Sequence, residues 1–239
     1  LLTIRRVDAL TRLRLALRKG EGLRFLSHLD YAQAVMRMIR RADLPMMYSE
    51  GFNPHMKISF SSALALGITA EAEYADLELF EDVTVADVAK RLNAVAPPGL
   101  EVTAGRVMPD KVRKMMAICN YAVYEVTGPV TADADWDELL KPINEAEQID
   151  FEKVTPKKTR IINVKEFVYN PLTAKKNDDG TVTVTMGIGI YPSGTMKPGE
   201  LWLFGRDKWN WPVTESYEVH RKGIYVVEDG ETKTPLECE

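Results

Sequence analysis

Between Ser27 and Gly67 the chain changes period twice, and that change limits the folds open to it. Ser27 stands three residues ahead of Asp30, a capping box with Asp in place of Glu, which predicts a helix start. Leu29, Ala32, Val35, Met36 and Ile39 then recur at helical spacing and predict an apolar stripe along one side. Arg37, Arg40 and Arg41 gather toward the C-terminal end, where positive charge suits the helix dipole, and Pro45 closes the helical region. Gly51, Asn53 and Pro54 are turn residues, after which Ile58 and Phe60 restore extended periodicity.

The same signals extend in both directions. LRLALR (13–18) alternates apolar and basic residues at period two, as a half-buried strand does; Gly20 and Gly22 loosen the chain, and LRFLS (23–27) is read as resuming an extended path. YADLELF (74–80) predicts a strand, Thr84 with Asp87 a second helix, Pro97-Pro98-Gly99 its stop, and LEVTAGRV (100–107) another strand. After a connection or short helix at 110–120 the order recurs. NYAVYEVTG (120–128) is a strand, and WDELLKPINEAE (136–147) a helix that Pro142 kinks or shortens. Strands follow at 151–157, 160–170 and 181–191, with a hairpin-type turn at Asn177–Gly180. A short helix over KPGELWLFG (197–205) and strands over 216–228 complete the order. The fold class expected is α+β: two ferredoxin-like (split βαβ) modules, over 12–110 and 118–232, with antiparallel sheets and helices on one face. Duplication rests here on element order, not on internal identity.

A formal net charge of −4 conceals an asymmetry. Residues 1–60 carry eleven Lys and Arg against five Asp and Glu, whereas 121–239 carry fourteen against twenty-one. A basic first quarter on an acidic chain fits an anionic partner at one face, and it fits a solvated helix face balanced by acidic neighbours equally well. No apolar run reaches the roughly 18–20 residues that span a bilayer, so no membrane partner is expected. LLTIRRVDALTRLRLALRKG lacks the apolar core and cleavage site of a signal peptide and is read as leading into the first strand. Cys119 and Cys238 alone imply no disulfide framework, and a reducing cytoplasm is the expected location. Cysteine spacings for iron–sulfur or zinc, a P-loop, a strand-linked GxGxxG and a GxSxG elbow are all missing, so neither metal nor cofactor is expected.

His28 and His55 are the candidate chemical residues, since a histidine near neutral pKa acts as acid or base, or meets phosphate when charged. His28 falls at a helix start, where backbone N–H groups favour anions; His55 falls in a turn near Glu50 and Lys57. If turn and helix start face one another they form a polar pocket edged by Arg37, Arg40 or Lys57, and the binding residues expected are Ser27, His28, Asp30, Arg37, Arg41, Ser49, Glu50, Asn53, His55 and Lys57. Otherwise His28 helps cap its helix and His55 anchors its turn. Tyr48, Phe52 and Phe60 offer stacking surfaces, or bury themselves. Lys157, Lys158 and Arg160 either track a phosphate backbone or guard an edge strand, and His220-Arg221-Lys222 is read as a basic strand end or solvated turn.

LRFLSHLD (23–30), RADLPMMYSEGFNPHMKISF (41–60) and ALALGITAEAEYADLEL (63–79) resemble the radical-SAM-linked proteins that carry the DUF2344 domain. The likeness spans most of 12–230, with KTRIINV, MKPGELW and HRKGIY in comparable places. That resemblance implies a domain fused to, or encoded beside, a radical SAM protein, in surroundings rich in ribosomal-protein and ribonuclease genes. It implies no catalytic residue. A fainter likeness links the chain to the repeat-associated RNA-processing endonucleases, without their glycine-rich C-terminal loop. The expected function is therefore an accessory, non-catalytic protein that docks RNA or a ribosomal component for a separate radical SAM enzyme. The alternatives are a metal-independent ribonuclease using His28 and His55, and a domain that only contacts its protein partner.

Overall fold

A computed structural model describes residues 10–154, 159–169, 171–192 and 194–239. Two compact units make up the chain: Leu1–Cys119 with Tyr225–Glu239, and Asn120–Ile224. The architecture is α+β with mostly antiparallel strands.

The first unit runs β1 (Thr11–Lys19), α1 (His28–Arg41), β2 (Ile58–Phe60), β3 (Ile68–Leu79), α2 (Val85–Asn93), β4 (Leu100–Met108) and the single turn α3 (Met115–Ile118). β1 pairs antiparallel with both β3 and β4, and β2 pairs antiparallel with β3. The resulting order β4-β1-β3-β2, with helices in both crossovers, is the split βαβ arrangement. Period-two alternation puts Leu13, Leu15 and Leu17 of β1 on one face, beside Ala75, Leu77 and Leu79 of β3. Tyr31, Val35, Met38 and Ile39 of α1 and Val88 and Leu92 of α2 close that face. Both helices start on the predicted caps, Ser27 accepting from Asp30 N and Thr84 from Asp87 N.

The other face of β1 carries Arg14, opposite Asp76 in register. Arg14 is 0% exposed and grips Asp76 with two hydrogen bonds of 2.7 and 2.9 Å. Its remaining donors reach the carbonyls of Pro235 at 2.8 Å and Cys238 at 3.3 Å, so a 3-10 turn at Pro235–Glu237 lies over this pair. Tyr74 of β3 is buried too, and its phenol is pushed up to about 12 from 10.0, first by burial and then by the neighbouring Tyr225. The folded-state value lies above the unfolded one, so the stability this phenol contributes is present below about pH 10 and lost as pH rises toward 12. Tyr74→Phe is expected to flatten the alkaline fall in stability across that window, as urea titrations at about pH 9 and about pH 11 would show.

The second unit repeats the pattern with β5 (Tyr121–Pro129), α4 (Trp136–Glu145), a hairpin of β6 (Asp150–Val154) and β7 (Thr159–Asn163), β8 (Thr173–Lys176), β9 (Thr181–Tyr191), the short β10 (Gly194–Thr195), α5 (Pro198–Trp209) and β11 (Glu218–Glu228). Its sheet order is β8-β9-β5-β11, the same split βαβ order with β6–β7 inserted into the first crossover. Val182, Val184, Met186 and Ile188 alternate inward along β9, and Trp202 of α5 is fully buried. α4 runs through Pro142.

Several expectations differ from what is observed. Residues 23–27 do not resume a strand: a 3-10 turn at Glu21–Leu23 leads directly to the α1 cap. Leu29 is 76% exposed, because the buried stripe of α1 centres on Tyr31, Val35, Met38 and Ile39 instead. His220, Arg221 and Lys222 lie inside β11; Arg221 is buried and Lys222 meets Glu125 at 3.6 Å, so this is no solvated turn. The second compact unit closes at Ile224, and Tyr225–Glu239, including β12 (Glu231–Lys233), belongs with the first. Lys157 and Lys158 fall outside the described residues; Arg160 lies on β7.

Candidate functional site

The N-terminal end of α1 uses its polar residues locally. Ser27 Oγ donates to Asp30 Oδ2 at 2.6 Å while accepting from Asp30 N at 3.2 Å, so both residues are engaged in the cap. His28, half-buried at the first helical position, sets its ring edge-on to Phe60 of β2, with centroids 5.8 Å apart. Around this end Phe25, Leu29 and Leu66 are exposed, and Gly67 N donates to Arg24 O at 3.0 Å, which brings the Leu66 turn against Phe25's segment.

From Pro45 to Ile58 the chain forms a second feature, a hairpin ahead of β2. Lys57 N donates to Met47 O, Tyr48 bridges Met56, and Ser49 and His55 close the tip: Ser49 N donates to His55 O at 2.8 Å and His55 N to Ser49 Oγ at 2.9 Å. Gly51 turns at φ +115°, a conformation that favours glycine. Glu50, Phe52, Asn53 and Pro54 are exposed at the tip, with Tyr48 exposed beside it. Among the described residues no hydrogen bond or ring contact joins His28 to His55. The helix start packs on Phe60, and the tip closes on itself.

Cations collect at the opposite end of α1. Arg37, Arg40 and Arg41 are exposed there, and the last turn of α2 carries Lys90 and Arg91. Arg41 Nη1 donates to Val95 O at 3.4 Å, and Arg91 donates to Ala42 O at 2.7 Å and to Asp43 O, so the two helix C-termini adjoin. Arg91 also meets Asp87 at 3.6 Å. Arg37, Arg40 and Lys90 have no carboxylate partner among the described residues. Part of this charge answers the carbonyl ends of two helices; the surplus faces solvent.

Lys57 points elsewhere. Its ammonium lies 3.4 Å from Glu78, which also takes Arg12 at 2.6 Å, on the wall of a cleft of about 280 Å³. Asp76, Arg113 and Lys114 complete the polar lining. These residues come from four distant segments. The alternation of basic residues along 13–18 hinted at a charged strand face, but nothing local pairs Arg12 with Lys57 or Lys114. Among the described residues no three His, Cys, Asp or Glu side chains converge as metal ligands would, and no helix is long and apolar enough to cross a membrane.

A family described as "Uncharacterized protein conserved in bacteria (DUF2344)" matches residues 12–198. No curated protein matches the chain. Among solved structures, a Cbf5-Nop10-Gar1 complex is similar at 12% identity over 90% of this chain and 48% of that one, with a TM-score of 0.47. An H/ACA RNP bound to a substrate RNA containing 2'-deoxyuridine is similar at 12% identity over 88% of this chain and 46% of that one, with a TM-score of 0.41. The chain spans about half the length of these solved chains.

Proposed function

Because this chain belongs to the DUF2344 family, whose description names no reaction, we propose its function from its own surfaces: an accessory, non-catalytic protein that docks RNA, free or within a ribosomal component, for a separate radical SAM enzyme. The observation that carries the reading is the cluster at the adjoining ends of α1 and α2. Among the described residues Arg37, Arg40 and Lys90 are exposed without carboxylate partners, and the hairpin that follows α1 presents Phe52 and Tyr48 to solvent. Unpaired cations attract phosphates, and exposed rings accept bases by stacking; together they suit single-stranded RNA. The radical SAM enzyme enters as the resemblance implies. The apolar cluster of Phe25, Leu29 and Leu66 would suit its protein surface. Leu29 lies roughly 17 Å along α1 from Arg40, far enough for two partners to dock at once.

A ribonuclease using His28 and His55 has less support. An acid–base pair works on one substrate atom group, and these rings occupy separate settings, one on Phe60 and one on an exposed tip.

The test is binding of a single-stranded RNA followed by fluorescence anisotropy across a salt series. Arg37→Gln with Arg40→Gln is expected to weaken binding about tenfold and to lower the log–log salt slope by roughly 1.4, or about 0.7 per lost phosphate contact. Binding indifferent both to salt and to this pair of substitutions sinks the reading.

A further inference from the structure

We infer that the cleft beside β1 and β3 is a binding site for a phosphomonoester dianion, separate from the arginine and aromatic surface proposed for RNA. Charge is the first argument. Arg12, Arg14, Lys57, Arg113 and Lys114 stand in or directly behind the cleft wall, against the carboxylates of Asp76, Glu78 and Glu228. Five cations against three carboxylates leave a surplus of two positive charges. Asp76 is held on both oxygens by the buried Arg14, and Glu228 binds Arg113 on both oxygens at 3.0 Å, so those pairs are closed. Glu78 is a single carboxylate shared by Arg12 and Lys57. Lys114 is exposed and has no carboxylate partner among the described residues. A phosphomonoester carries about −1.5 to −2 charges near pH 7, which matches the surplus.

Geometry is the second argument. Arg12 is fixed at both ends of its guanidinium, donating from Nη1 to Asp110 O at 2.8 Å and from Nη2 to Glu78. Arg113 is braced by Glu228 and donates from Nε to Glu239 O at 3.3 Å. Two guanidinium groups are thus held in place, while the two lysines keep flexible stems. Lys57 makes the longest contact of the group and can turn from Glu78 to an incoming anion at little cost, because Arg12 still answers that carboxylate. A volume of about 280 Å³ lies just below the roughly 300–1,000 Å³ of drug-sized ligand sites and suits a phosphate with a short attachment. The same chemistry is offered by the terminal phosphate of a polynucleotide and by a small phosphorylated metabolite.

Calorimetry on the whole chain with inorganic phosphate, repeated with chloride at matched ionic strength, tests the site. Saturable phosphate binding is expected, weakened at least about fivefold in Lys57→Gln and in Lys114→Gln, both exposed and dispensable to the core. The pair Arg37→Gln with Arg40→Gln should leave it unchanged, so this site and the RNA surface can fail independently. No saturable binding, or equal binding in the two lysine variants, overturns the inference. Two further titrations identify the source. A 5′-phosphorylated RNA that binds more tightly than its 5′-hydroxyl twin, with the advantage lost in Lys114→Gln, assigns the cleft to polynucleotide ends. Glycerol 3-phosphate binding without such a difference assigns it to metabolites.

Discussion

Asp76→Asn is expected to destabilise the first unit by about 3–5 kcal/mol, the usual consequence of leaving one member of a buried ion pair uncompensated. Arg14 is completely buried, and Asp76 is the one carboxylate that its guanidinium meets among the described residues. With Asp76 neutral, the guanidinium keeps, among the described residues, the carbonyls of Pro235 and Cys238, which answer hydrogen bonds but not charge. Replacing both partners by apolar residues, Arg14→Met with Asp76→Leu, should recover much of the loss, since neither charge is then stranded. Recovery should be incomplete, because the two carbonyls over the pair lose their donor. Denaturant unfolding of the three variants measures the energies. Hydrogen exchange should show faster opening at 234–239 in the double variant even where global stability is restored. A single Asp76→Asn effect below about 1 kcal/mol would show that water reaches the pair and screens it.

Trp202→Ala is expected to cost the second unit about 3–5 kcal/mol, through lost burial and the cavity left behind. The indole is fully buried, donates from Nε1 to Thr214 O at 3.1 Å, and packs near Trp211 and Tyr217 with centroids 6.4 and 6.3 Å away. It also lies directly over Gly128 of β5, where a Cβ would stand 2.6 Å from the ring and 2.6 Å from Ser216 O. Gly128→Ala should therefore destabilise by overpacking at the same contact. Because the two changes meet at one point, their effects should not add: alanine at 128 should be tolerated better once the indole is gone. Thermal melts of both single variants and the double variant decide this, and strict additivity would mean that β5 and α5 relax independently.

What the sequence makes legible is whatever depends on neighbours a few residues apart. Ser27 with Asp30 and Thr84 with Asp87 announce their helices because a cap is closed by residues three positions apart. Asn177–Gly180 announces its hairpin because glycine supplies the positive φ the turn needs. The alternation of Leu13, Leu15 and Leu17 marks a strand, and the repeated order of strands and helices suffices for the α+β class. Leu29 shows where this stops. It fits a helical spacing, yet it sits roughly 130° around α1 from the centre of the buried stripe, and only packing decides which stripe turns inward. The candidate site depends on packing throughout. His28 and His55 are close in sequence and separate in setting, whereas Arg12, Lys57, Glu78 and Lys114 are scattered in sequence and share one cleft. No periodicity carries that information, because β1, β3 and the segment before α3 meet only through the sheet.

The interruption of the first unit by the second has a consequence for synthesis. The carbonyls of Pro235 and Cys238 that complete the shell of Arg14 leave the ribosome more than two hundred residues after it. At about 5–20 residues per second, Asn120–Ile224 alone occupies translation for roughly 5–20 s. Throughout that interval the nascent first unit presents one face of β1 and β3 with its guanidinium uncovered on that side. A sheet face held open for seconds is a natural substrate for a chaperone, and its closure waits on Pro235–Cys238.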